Sequence, residues 1–199
     1  IRSALSTAAS SIIMVDASAG VQVGTEKAWE ECSKHKNPKF IVLTKIDKEN
    51  VDVDKVVAQL REKFGNSVVT DDDKDALNEA VAGTDEALME KFFNEEPFTD
   101  EEFYNGLMTG IATGDVVPII KMSSKTGEGV DEVLRSISKY VPTPNMHPAY
   151  PAKNIKGEDV EITTDPAEKP VLWVFKTIAD PFLGRISYAK VITGTVKVG

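Results

Sequence analysis

Cysteine is nearly missing from this sequence. Cys32 stands alone among 199 residues, so neither an internal disulfide nor a cysteine-based metal site can form. On a charged helix such a thiol reads as a passive packing residue. Histidine is scarce as well: His35 and His147 are too few for most catalytic or metal-binding schemes, and both read as surface or loop residues. No apolar run approaches the roughly 20 residues that span a bilayer; the best, Ser11 to Val15, is strand-sized. A charged start followed by an apolar stretch and a small-residue cleavage site is also missing, which excludes a secretory signal in these residues. The chain opens on Ile1 rather than methionine and enters a helical pattern at once, which reads as a fragment or as a processed or partly visible chain. These absences predict a cytoplasmic protein without membrane partners.

What is present is an ordinary globular composition, 41% hydrophobic and 28% charged, long enough for one large or two small domains. The net charge of −9 is uneven. Between Asp71 and Glu102 thirteen acids face two lysines, a local −11, so the other residues together carry +2. Such a stretch repels phosphate backbones and excludes a nucleic-acid grip there. It is open to two readings, a solvated acidic face and a docking surface for a basic partner.

Along the chain, SIIMVD (residues 11–16) reads as a buried parallel strand that ends in an acid and a small-residue turn. Thr25 to Lys36 has helical spacing and stops before Pro38; Phe40 to Leu43 is a second strand, with polar residues at its carboxyl end. Val53, Val56, Val57, Leu60 and Phe64 make one helix face that ends at Gly65. Thr70 to Thr113 reads as helices only, and Thr99 with Glu102 has the capping-box spacing. A strand resumes over Val116 to Met122, and a closing helix from about Val130 to Tyr140 is expected to turn Val133, Leu134 and Ile137 inward. Six of the ten prolines lie between Pro142 and Pro170 and mark a linker. Alternating residues beyond it predict the start of an antiparallel β domain.

Alternating strands and helices imply an α/β fold whose ligands sit beyond the carboxyl ends of the strands. Two polar loops occupy those ends: Thr44-Lys45-Ile46-Asp47, and Ser123-Ser124-Lys125. Guanine presents N1–H and N2–H₂ donors together, and one fixed carboxylate, here Asp47, can accept both. A base lacking those donors would leave the carboxylate unpaired. Lys45 and Lys125 can lay aliphatic stems on the two purine faces. Backbone N–H groups around Ser123 and Ser124 can donate to the guanine O6. From the residues alone, unrelated polar loops at strand ends stay open as the other reading.

The segments VDASAGVQVGTEKAWEEC, VLTKIDKENVDVDKVVAQLREKFG and GDVVPIIKMSSKTGEGVDEVLRSISKYVPTP occur in the order found in elongation factor G, and the chain resembles the second half of that family's nucleotide-binding domain. KPVLWVFKTIADPFLGRISYAKVITGTVKVG is similar to the opening of its second domain. The resemblance implies a partial P-loop GTPase-type parallel sheet with a helical insert, followed by the start of a β-barrel. Its boundaries would be 1–66 and 114–144 for the nucleotide domain, 67–113 for the acidic insert, 145–170 for a linker and 171–199 for the barrel. It implies GTP or GDP as ligand, held through Lys45 and Asp47, which match the Asn-Lys-x-Asp motif, and through Ser123, Ser124 and Lys125. Thr44 stands where the family has asparagine, and Ser124 where it has alanine.

Three family features do not occur in the 199 residues: the G-x-x-x-x-G-K-[ST] phosphate loop, the threonine-bearing first switch, and the Asp-x-Pro-Gly-His segment that holds magnesium. No catalytic residue or metal ligand is therefore expected in this chain, and magnesium would be held elsewhere in a full-length parent. That parent is expected to couple GTP hydrolysis to movement on the ribosome, while this stretch alone would be inactive. The acidic insert would meet the ribosomal stalk protein. Gly65 to Asp71 is too short for the strands usual in that insert, so either it is pared down or residues are left out. For Arg185, a structural role and a ribosomal RNA contact stand side by side. The alternative function is a non-enzymatic ribosome- or stalk-binding module derived from the same fold. An unrelated doubly wound domain is the third reading.

Overall fold

A computed structural model describes residues 2–5, 7–35, 37–141, 143 and 149–198. His147 and the expected boundary at 144/145 lie outside the described residues. The chain divides into two units, Ser10–Val141 and a second made of Ile1–Ala9 with Pro142–Gly199.

The second unit begins with a short helix, α1 (Arg2–Leu5). In the first unit, β1 (Ser11–Asp16), α2 (Val23–Lys34), β2 (Lys39–Thr44), α3 (Val53–Phe64) and β3 (Val68–Thr70) alternate. Helices α4 (Lys74–Ala82), α5 (Glu86–Phe93) and α6 (Asp100–Thr113) follow, then β4 (Val117–Lys121) and α7 (Val130–Tyr140). The four strands form one parallel sheet in the order β1-β2-β4-β3. β2 is central and has no exposed face: Phe40, Ile41, Val42 and Leu43 are at most 2% accessible, as expected of a strand covered on both sides. In register, Asp16 lies beside Thr44 and Leu43 beside Lys121, so the carboxyl ends of β1, β2 and β4 are level.

Two expectations need correction here. β1 is an edge strand, with Ile13 and Val15 buried but Ile12 and Met14 exposed. Of the three α7 residues expected to face inward only Val133 packs against the core, which Tyr140 of the same helix joins, while Leu134 and Ile137 face outward. β3 is a third departure, because it lies at the start of the insert expected to be helical, within the Gly65 to Asp71 passage expected to be too short for strands, and pairs with β4.

The insert is no satellite. Val81, Leu88, Leu107 and Ile111 share one core cluster with Phe40 and Val42 of β2 and Ile120 of β4. Its helices are capped by its own acids: Asp73 accepts from Ala76 N, and Asp85 from Ala87 N and Leu88 N. Thr99 and Glu102 form the expected capping box, at 3.2 and 2.9 Å. Gly106 and Gly110 let α6 pack closely, since a Cβ would stand 2.8 Å from Val81 and Leu88 at the first and 2.4 Å from Val116 at the second. On the other side of the sheet, Trp29 of α2 stacks on Phe64 of α3 at 4.3 Å.

In the other unit, the expected linker holds a hairpin of β5 (Tyr150–Lys153) and β6 (Asp159–Ile162). Asn154 Oδ1 closes its turn by accepting from Lys156 N and Glu158 N. A second antiparallel pair, β7 (Val171–Asp180) and β8 (Gly184–Thr193), turns at Asp180, whose carboxylate accepts from Phe182 N and Leu183 N. These two pairs are separate two-stranded sheets and close no barrel.

Two outcomes test this packing. Gly110→Ala is expected to destabilise the fold, because overpacking costs about 1–3 kcal/mol against a gain of about 1 kcal/mol in helix propensity. Gly24→Ala in α2, where a Cβ meets nothing within 4 Å, is expected to be neutral or stabilising. Denaturant midpoints check both. Glu102, held down to a pKa of about 2 by Lys91 and the Thr99 cap, stabilises fully above its ordinary 4.5, and that stability is lost as pH falls toward 2. In Glu102→Gln this part of the pH profile should flatten.

Candidate functional site

Because β1, β2 and β4 end level, the loops that leave them meet on one edge of the sheet. The β2 loop begins with Thr44, whose hydroxyl donates to the Val15 carbonyl of β1 at 3.1 Å. Lys45 follows in the left-handed region, at φ 60°, and its ammonium pairs with Asp16 at the end of β1. Asp16 Oδ1 also accepts from Ser18 N and Ser18 Oγ, and Lys48 Nζ reaches Ser18 Oγ at 3.1 Å. Lys45 and then Ser18 hold the Asp16 carboxyl well below the usual carboxylate range.

Asp47 and Ser123 come from loops 76 residues apart and are joined by a hydrogen bond, Ser123 Oγ donating to Asp47 Oδ1 at 2.5 Å. Ser123 is fully buried, and its Oγ also accepts from Thr126 N. The same hydrogen bond, helped by the nearby Lys125 and Lys48 cations, holds the Asp47 carboxyl below its ordinary value. The result is an ionised, oriented acceptor at the strand ends. Ser124 and Lys125 are exposed beside it.

The β4 loop is a tight one. Ser123 N donates to Glu128 O at 2.8 Å and Gly127 N to Ser123 O at 2.9 Å. Gly129 sits at φ 72°, and a Cβ there would come within 2.0 Å of the Lys121 carbonyl. The Ser123 N–H is thus taken up inside the loop and is not free for a ligand, contrary to expectation. Among the described residues the Ser124 N–H has no such internal partner.

Asp47, Ser123, Ser124 and Lys125 are therefore brought to one place, while Thr44 and Lys45 turn toward β1. The Asp16–Ser18–Lys48 group was not foreseen. Its signal was the acid that ends SIIMVD at the carboxyl edge of a strand. Among the described residues no cluster of three or more His, Cys, Asp or Glu side chains is placed to hold a metal ion.

The elongation factor Tu GTP binding domain is the family model that matches, over residues 1–143. An elongation factor G-like protein of Thermotoga maritima is 27% identical over 227 residues, covering 94% of this chain and 33% of that protein. A crystal structure from Thermus thermophilus matches with a TM-score of 0.73 at 24% identity, covering 97% of this chain and 33% of the other. The chain spans about a third of the length of these relatives.

Ser123→Ala removes the donor that holds Asp47. The Asp47 pKa is expected to rise toward the ordinary value of 3.8, as read by carboxyl-carbon NMR titration. An unmoved titration would mean that Ser123 does not govern this carboxylate.

Proposed function

We propose that this chain, which belongs to the family of elongation factor Tu GTP binding domains, reads the guanine base of GTP or GDP in a translational GTPase of the elongation factor G type. The observation that carries this reading is the Ser123–Asp47 hydrogen bond, which fixes an ionised carboxylate between two strand-end loops. The carboxylate accepts guanine N1–H and N2–H₂; an adenine ring offers no such pair and leaves it unpaired. Lys125 covers one face of the ring and the stem of Lys45, tethered by Asp16, the other. The Ser124 N–H donates to O6. GTP hydrolysis coupled to translocation on the ribosome, in the cytoplasm, is the activity of the protein in which such a site works. The phosphate-loop, switch and magnesium-holding motifs do not occur in these 199 residues, and the base contacts are the part of such a site that this chain contributes. Ile12 and Met14 on β1, with Leu134 and Ile137 on α7, offer exposed apolar surface against which a phosphate-binding part would pack.

A second reading, a non-enzymatic module that binds the ribosome or its stalk protein, is favoured by the insert. Glu86, Glu90, Glu95, Glu96, Asp100 and Glu101 are exposed on it. Both readings share the insert as a docking surface for a basic partner, and they part on the nucleotide.

Asp47→Asn replaces an acceptor with a donor at one position. Xanthosine diphosphate is expected to displace GDP as the preferred ligand by at least about tenfold, followed by shifts of the 44–47 and 123–125 amides in NMR titrations. ADP should leave those amides unmoved in the unaltered chain. Base selectivity unchanged by the substitution would sink the role given to Asp47.

A further inference from the structure

The corner between α5 and α6 carries a groove that the nucleotide site does not use. Phe92, Phe93, Pro97 and Phe98 line it with Glu95 and Glu96, around a volume of about 500 Å³. Phe93 is 76% exposed, and its ring meets Phe92 edge-on at 6.3 Å. The backbone shapes this corner: Glu95 N donates to Phe92 O and Glu96 N to Lys91 O, which ends α5 and leaves both glutamates in solvent. Among the described residues no cation lines the groove. Lys91, one turn back, is held by Glu102 at 2.6 Å.

A single exposed apolar residue is ordinary. A phenyl ring at the mouth of a groove built from further rings, rimmed by carboxylates, has the make-up of an aromatic anchor site with a charged edge. We infer that this groove seats a basic amphipathic segment of a partner protein, with an apolar side chain packed on Phe93 and lysine or arginine side chains paired with Glu95 and Glu96. Charge decides the occupant. Nucleic acid is repelled by the glutamates, and so is a second copy of this chain, whose net charge is −9. The inference rests on the insert being a docking surface and names the contact within it.

The test uses the whole 199-residue chain and a fluorescein-labelled helical peptide with leucines along one face and lysines on the other. Two control peptides carry serine for leucine and glutamate for lysine. Fluorescence anisotropy is expected to show binding of the first peptide alone. Phe93→Ser should weaken it by more than about fivefold with the melting temperature unchanged. Glu95→Gln with Glu96→Gln should weaken it and flatten its dependence on salt. If the glutamine pair weakens binding and Phe93→Ser does not, the groove is overturned while the acidic docking surface stands. If neither variant alters binding, or the peptide does not bind, the inference falls along with the docking role of the insert.

Discussion

The parallel pairing of β1, β2 and β4 is the constraint from which the rest follows. β2 is shut away from water on both faces, so each of its backbone groups must bond to a neighbouring strand. Sliding it by one residue would unpair those groups and turn every side chain to the other face of the sheet. The register that results places Asp16, Thr44 and Lys121 level at one edge. Every loop of the site starts from that line. The Asp47–Ser123 bond and the Lys45–Asp16 pair join loops and strand ends that this register brings together.

The same core ties the insert to the sheet, and this changes how its charge is read. Asp73 and Asp85 cap helices, Glu102 closes a capping box and binds Lys91, and Asp72 pairs with Lys121 of β4. These acids serve the fold of the insert itself. They stabilise helix N-termini, where backbone N–H groups lack partners and the helix dipole favours negative charge. Other acids of the insert face solvent, among them Glu86 and Glu90 on α5 and Glu95 and Glu96 at the corner after it. A uniformly acidic surface would attract any cation weakly, whereas a few carboxylates around exposed rings can prefer a particular shape.

Much of this was legible in the sequence, for identifiable reasons. β2 and β4 are apolar runs ended by polar residues, α3 carries an apolar stripe that stops at Gly65, and Thr99 with Glu102 states its own cap. β3 was not legible because three residues, Val68 to Thr70, are too few to show a period. The outward turn of Leu134 and Ile137 was hidden as well, since an apolar stripe reports what a helix can bury and not which part of it is covered. The β5–β6 hairpin, largely exposed, lacks the apolar alternation that marks a half-buried strand. Within the site, Asp47 and Ser123 stood out by their places at strand ends. The Lys45–Asp16 pair spans 29 residues and appears only once the strands are aligned.

Thr44 shows how one substitution in a motif is settled by its surroundings. An asparagine at the end of β2 has a carbonyl and an amide to offer, enough to serve two neighbours at once. Threonine has one proton to donate, and here it goes to the Val15 carbonyl. The hydroxyl therefore strengthens the seam between β1 and β2, the seam that Ala17 N and Thr44 O continue at 2.9 Å. Its lone pairs can still accept, but its short reach keeps it close to the strand. The Asp47 carboxylate at this edge is held by the buried Ser123 and not by Thr44. Threonine at this position thus ties the end of β2 to β1 and leaves the hold on the Asp47 carboxylate to Ser123.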